Sequence, residues 1–483
     1  MSNSKTANGG TQFDHSQNHA LEFFSKAGSQ FTNKKSFHGD KTSALSLFKN
    51  VWFSGDHNLA MRLLFWLRDP RGGAGNRSGF RDCLKWVSET DPKWVISNIN
   101  LIPEHGRWDD ARSTFGTDAE DSATNLWATK ISEKDFLASK WASRKDKQLL
   151  RKLRQNKTVS DIGEFRRLLA EGRNSTPEVA MCKDEWKALD YSKIPSVAMS
   201  RYTKAFGKHD TARFDAYKAA LVSDDPKDAD VKINADVLFP HDVMRTLYNG
   251  DKAIADAQFD ALPNFMEGTD MRVLPIVDTS GSMSTQVSGA IRAIDVSTSL
   301  GLYCSDRLGK GNPFYRKFMQ FCGESTLTDW STHKTISSAV DARLFNGAVG
   351  NTNIQLALET VLKYGKMFNA TDEQMPNCLL IISDMQFDHG GATGSWGGNG
   401  STNMTEVDEM LNEWENAGFT RPKVIYWNTA GESGSPATVN ANDVGLVSGF
   451  SPSILKAVFG NEDFSPLGIM MKAIEKYQIT QPE

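Results

Sequence analysis

Apolar residues recur at three-to-four spacing through the first half of this chain and gather into short unbroken runs in the second. The pattern therefore predicts helices first and buried strands afterwards. Leu45, Leu47, Phe48 and Trp52 predict one helix, and Leu59, Leu63, Leu64, Trp66 and Leu67 a second, joined by the turn Ser54-Gly55-Asp56. The same spacing returns at Phe80, Cys83, Leu84, Trp86 and Val87, at Trp94, Ile96 and Ile99, and from Ala235 to Phe265. Beyond the break at Gly268-Thr269-Asp270, Val273, Leu274, Ile276 and Val277 read as a strand covered on both faces. Phe318–Cys322, Cys378–Ser383 and Lys423–Trp427 are further strand candidates. Helical spacing separates them at Ala290, Ile291, Ile294, Val296, Leu300, Leu302 and Tyr303 and again from Ile354 to Leu362, with a last helix over Pro466–Tyr477. Strands alternating with helices predict a doubly wound parallel sheet. The expected organisation is a mobile polar arm over 1–35 with one helical patch at Leu21, Phe23 and Phe24, an all-α domain over 36–267, and an α/β domain over 268–483.

Composition narrows the class. A chain of 483 residues with 12 Trp and 27 Phe has the material for packed cores. Lys+Arg 55 against Asp+Glu 59 leaves a formal charge of -4, so any surface for nucleic acid has to be local. No apolar run reaches membrane-spanning length, and the start Met-Ser-Asn-Ser-Lys-Thr has no signal-peptide core. Five scattered cysteines without a Cys-x-x-Cys pair predict reduced thiols and a cytoplasmic protein without a zinc site.

The strand candidate Val273–Val277 stops at oxygen-bearing side chains. Asp278, Ser280 and Ser282 follow at alternate positions, where one carboxylate and two hydroxyls turned to one point suit a hard divalent cation. A Ser-rich turn capping the next helix has the same composition. Two later segments add to the pattern: Thr352 lies at the start of the helical run Ile354–Leu362, and Asp384 ends the run Cys378–Ser383. Asp278, Ser280, Ser282, Thr352 and Asp384, in that order, resemble the metal-ion-dependent adhesion site (MIDAS) of von Willebrand factor A domains. The resemblance implies a cation, Mg2+ before Mn2+ or Ca2+, with one coordination position left for an outside oxyanion. Asp388 and His389, in the glycine-rich stretch Phe387–Met404, are candidate extra ligands.

Candidate RNA contacts lie upstream. Arg144, Lys145, Lys147, Arg151, Lys152, Arg154 and Lys157 crowd around one acid, Asp146, as a solvated helix face or a phosphate-tracking surface. Between Ile194 and Phe214, the cations Arg201, Lys204, Lys208 and Arg213 interleave with Tyr202, Phe206 and His209. Such interleaving fits single-stranded RNA, with rings on bases and cations on phosphates; rings packed in a core would look the same. The glycine-rich loop Arg68–Arg77 lacks the Gly-Lys-Ser/Thr of a nucleotide loop, so it is expected to join two helices, its arginines pairing with Asp69 and Asp82 or facing phosphate.

Arg68-Asp-Pro-Arg-Gly-Gly-Ala-Gly-Asn-Arg77, Gly106-Arg-Trp-Asp-Asp110, Ala138-Ser-Lys-Trp141 and Lys208-His-Asp-Thr-Ala-Arg-Phe214, ahead of an A domain, together resemble the TROVE-like families related to the Ro autoantigen. The motifs stand closer to little-characterised phage and cellular relatives than to Ro itself. The resemblance implies HEAT-like helical repeats forming a ring closed by the A domain. It also implies a non-catalytic, ribonucleoprotein-type role with small structured RNA or single-stranded RNA ends as partners. A scaffold whose metal site captures an acidic residue of a protein partner is the alternative.

Overall fold

Short polar side chains set where the helices begin. Asp56, Asn76, Asp146 and Asp251 each accept a hydrogen bond from the backbone amide three residues on, satisfying one of the open donors of the helices His57–Arg68, Arg77–Thr90, Lys147–Gln155 and Lys252–Asp260. The computed structural model describes residues 3–5, 11–14, 16–29, 43–173, 176–223, 225–288, 291–342, 352–387, 406–431 and 435–483. Described helices fill the chain from Ala44 to Asp260, and the sheet follows.

Six strands make that sheet: β1 Val273–Asp278, β2 Lys317–Phe321, β3 Ser325–Asp329, β4 Cys378–Ser383, β5 Lys423–Asn428 and β6 Val444–Ser448. Their order is β3-β2-β1-β4-β5-β6. All neighbours are parallel except β2 and β3, which pair antiparallel at the edge, so the sheet is mixed rather than wholly parallel. β1 and β4 are buried along their whole length, as their unbroken apolar runs require. The edge strands β3 and β6 were not expected: Ser325-Thr-Leu-Thr-Asp329 is too polar to stand out as a buried run, and the apolar run of Val444-Gly-Leu-Val-Ser448 is broken by Gly445. Expected helical spacing from Ala290 also starts late: Gln286–Ser288 and Ile291–Arg292 form a small hairpin, and the helix spans Ala293–Arg307.

One hydrophobic core runs through both halves of the molecule. The expected mobile arm over 1–35 does not hold for its described part. His19–Lys26 is a helix whose Leu21, Phe23 and Phe24 are fully buried, each contributing about 1.5–3 kcal/mol by leaving water. It lies on β6, where Ser448 Oγ donates to the Phe24 carbonyl at 2.6 Å and Gly28 N donates to Ser448 Oγ at 3.1 Å. Ser29 Oγ continues the seam, donating to the Asn428 carbonyl at 2.5 Å. The chain's other end crosses the opposite way. Tyr477 OH donates to Asp69 at 3.0 Å, Lys476 pairs with the same carboxylate at 2.7 Å, and Thr480 N donates to Asn98 at 2.8 Å. A boundary at 267/268 therefore separates elements in sequence but not in packing. Leu189, Tyr191, Ile194, Met199, Phe206, Phe214, Tyr217, Ile233 and Ile254 form a second, smaller core.

Candidate metal centre

The strand order makes β1 and β4 neighbours at the point where successive connections turn to opposite sides of the sheet. In open α/β sheets ligands bind at the carboxyl end of such a junction. Asp278 is the last residue of β1, and Asp384 follows the last residue of β4. Parallel pairing sets Val277 opposite Ile382, so the two chains leave the sheet side by side.

Asp278 is fully buried and Asp384 nearly so. Ser383 Oγ donates to Asp278 Oδ2 at 2.5 Å, and Ser280 N donates to Asp278 Oδ1 at 2.9 Å. Ser280 Oγ and Ser282 Oγ lie 3.1 Å apart, both buried, and Gln386 N donates to Asp384 Oδ1 at 3.1 Å. Burial pushes the Asp278 carboxyl well above the usual carboxylate range, and the charge of Asp384 pushes it further; hydrogen bonds from Ser280 and Ser383 oppose both. Two acids held together away from water call for positive charge between them. The donors are hard oxygens, which fit Mg2+, Mn2+ or Ca2+ and not a thiolate- or imidazole-seeking ion. Among the described residues no three His, Cys, Asp or Glu side chains gather into a metal cluster, so hydroxyls would have to complete the ligand set.

Thr352 is buried ahead of the helix Ile354–Met367, whose cap is Asn353 and which packs on β2 and β3. Asp388 and His389 lie outside the described residues. Sequence reasoning missed Ser383, which ties β4 to Asp278 and receives the Met385 amide at 2.9 Å. Its one signal is a polar residue closing the apolar run before Asp384.

A family model described as a domain of unknown function, DUF2828, matches residues 6–164 and 118–270, more than half of the chain. The chain belongs to the DUF2828 family. A second model, DUF7788, also a domain of unknown function, matches residues 272–479, the segment that carries Asp278 and Asp384. The uncharacterized protein L728 of Acanthamoeba polyphaga mimivirus is 25% identical to this DUF2828 chain over 502 residues, covering 90% of it and 82% of the viral protein. The crystal structure of the Deinococcus radiodurans RO (RSR) protein aligns over 95% of this chain and 99% of that one at 14% identity, with a TM-score of 0.40.

The candidate RNA residues separate into two groups. Arg144, Lys145, Lys147, Arg154 and Lys157 are exposed and, among the described residues, make no ion pair, whereas Arg151 reaches Glu120 at 3.0 Å and Lys152 reaches Asp121 at 2.5 Å. Arg201, Lys204 and Lys208 are exposed on one face of the helix Ser196–His209. Of the rings between them, Phe206 and Phe214 are fully buried in the second core and offer no open face for stacking, and the half-buried Tyr202 packs against that core. His209 already stacks on Trp186, with centroids 4.6 Å apart and planes at 4°. Arg213 is committed to Asp210 and to the carbonyls of Trp186 and Leu189. Three-to-four spacing put these aromatics on the inner face and the cations on the outer one. No described helix is long and apolar enough to cross a membrane.

Proposed function

We propose that this DUF2828 protein is a non-catalytic RNA-binding protein whose sheet carries a divalent-cation site. Asp278, Ser280, Ser282, Thr352 and Asp384 would hold Mg2+. When bound, the ion supplies a positive centre that attracts an outside oxyanion. The observation that carries the cation site is the burial of Asp278 beside Asp384 at the junction of β1 and β4. RNA as ligand rests on the exposed cations Arg144, Lys145, Lys147, Arg154 and Lys157, which make no ion pair among the described residues, with Arg201, Lys204 and Lys208 as a second cationic face. A helical ring around the RNA and a cytoplasmic setting belong to the same reading, which takes the sheet as an A domain.

The test is the salt dependence of binding to single-stranded RNA. Affinity should fall steeply as salt rises. Replacing Arg144, Lys145 and Lys147 together by Ala should weaken binding and lower the logarithmic salt slope by about one for each phosphate no longer neutralised. Binding that ignores salt, or survives the triple variant unchanged, overturns the RNA reading. A second reading, capture of a protein partner's Asp or Glu by the bound ion, gains from the burial of Phe206 and Phe214, which removes two candidate stacking rings. Under it, EDTA or Asp278→Ala abolishes partner capture; capture unchanged in both removes it.

A further inference from the structure

Away from the sheet, the loop Pro70–Asn76 and the turn at Arg107 bring four arginines to one place. Arg68 lies at the end of the helix His57–Arg68, Arg77 and Arg81 in the first turns of Arg77–Thr90, and Arg107 just before the turn Trp108–Thr114. Asp109 and Asp110 face them. Both carboxylates are already paired. Asp110 accepts from Arg81 Nε on one oxygen at 2.6 Å, and from Arg68 Nε at 2.6 Å and Arg107 N at 2.9 Å on the other. Asp109 Oδ2 accepts from Arg81 at 2.9 Å and from Arg107 at 3.0 Å.

Arg77 is left over. It is exposed and, among the described residues, makes no ion pair or side-chain hydrogen bond. Partial burial, then Arg107 and Arg68, pull its guanidinium down to about 10, and Arg81 adds to them against the one opposing charge, Asp110. Four guanidiniums against two carboxylates leave an excess of two positive charges. Asp110 is fully buried, Arg68 is 3% exposed, and Arg81 and Arg107 keep 33% and 24% of their side chains open to solvent. The Arg107 guanidinium carbon also sits over Trp141, 3.9 Å from the ring centre, a cation–π contact that helps hold it there. The network is not closed from within: Arg107 Nε and Asp109 Oδ1 approach to 3.0 Å, yet both are buried and, among the described residues, make no hydrogen bond. Arg77 is moreover the first residue of its helix, where the backbone favours negative charge. The loop itself is not a phosphate cradle, because Gly73, Ala74 and Asn76 spend their amides on the carbonyls of Asp69, Trp66 and Leu67.

We infer that Arg77, with the open edges of Arg81 and Arg107, forms a binding site for a phosphate monoester. The charge count selects among oxyanions. A monoester carries about -2 at pH 7 and balances the excess, whereas a backbone phosphodiester carries about -1 and leaves half of it unmatched. The phosphate can belong to a free small ester or to the 5′ end of a nucleic acid strand. The site stands independently of the cation site and of the basic face around Arg144.

Inorganic phosphate titrated calorimetrically into the full chain tests this, with dimethyl phosphate as the singly charged control. Phosphate should bind, and Arg77→Gln should weaken it by about tenfold, the worth of one charge-assisted hydrogen bond, with Arg77→Lys in between. Arg77 holds no other group in place, so its replacement should leave the unfolding temperature unchanged. Equal affinity in the parent and Arg77→Gln, or dimethyl phosphate binding as tightly as phosphate, overturns the proposal. Comparing 5′-phosphorylated with 5′-hydroxyl oligonucleotides then identifies the source. A preference for the phosphorylated strand that vanishes in Arg77→Gln assigns a strand end; phosphate binding without that preference assigns a free ester.

Discussion

Ser383 Oγ donates a 2.5 Å hydrogen bond to Asp278 Oδ2, tying together the ends of two neighbouring parallel strands that lie 105 residues apart in the chain. The bond keeps Asp278 ionisable in a buried place, and the loop it anchors brings in the second carboxylate, Asp384. Without a cation the pair repels.

Saturating Mg2+ or Mn2+ should therefore raise the unfolding temperature of the parent protein, by the equivalent of about 2.7 kcal/mol at a hundredfold excess over Kd. Asp278→Asn should abolish that shift while leaving the EDTA-treated protein at least as stable as the parent, since it removes one of the two repelling charges. Differential scanning calorimetry with and without metal checks both. A metal response retained in Asp278→Asn contradicts the site.

Phe24 sits fully buried in the N-terminal helix with its ring 4.5 Å from Trp66, so this segment is part of the core. Phe24→Ala should cost about 3–5 kcal/mol in chemical denaturation. A change below about 1 kcal/mol would restore the picture of a loose arm.

His241 is buried between Phe239 and Phe450, and among the described residues its Nδ1 has no hydrogen-bond partner. Burial, with some help from Arg245, holds its imidazole below the ordinary value of 6.5, while Asp242 and Asp295 oppose the shift. The folded state keeps His241 neutral while the unfolded chain takes up a proton below 6.5. Its contribution is thus fully present above that pH and is lost as pH falls from 6.5 toward the lower folded value. His105, shifted in the same direction by burial, adds to the loss. Denaturant midpoints between about pH 7 and 5 should fall less steeply in His241→Phe than in the parent; identical slopes would rule His241 out.

Phe214 belongs to the second core, with its ring 5.1 Å from Tyr191 and 5.5 Å from Phe206. Phe214→Ala should destabilise the segment 189–254 by about 3–5 kcal/mol, read as faster amide exchange there. Lys204→Ala, on an exposed face, should leave exchange unchanged and alter only RNA affinity. The opposite pairing of outcomes would return the rings to a stacking role.

The elements were legible because their periodicity is local. Unbroken apolar runs at Val273–Val277 and Cys378–Ile382 and three-to-four spacing at Leu59–Leu67 report burial on two faces or on one, whatever the partner. The positions of Asp278 and Asp384 were legible for a related reason, since a carboxylate that closes a buried run has to lie at the carboxyl end of the sheet. The antiparallel edge strand and β6 were not, because a short strand against one neighbour leaves little pattern.

By itself, then, the sequence determined the kind and position of most elements and named the acid that ends β1 and the acid that follows β4. Only the tertiary structure decided that those strands are neighbours, that Ser383 joins them, and that a polar-looking arm packs on β6. It likewise turned Phe206 and Phe214 inward and set Arg77 beside three arginines with two carboxylates already taken. Periodicity says which side of an element is apolar; what that side meets, and which charges remain unmatched, depends on contacts between residues far apart in the chain.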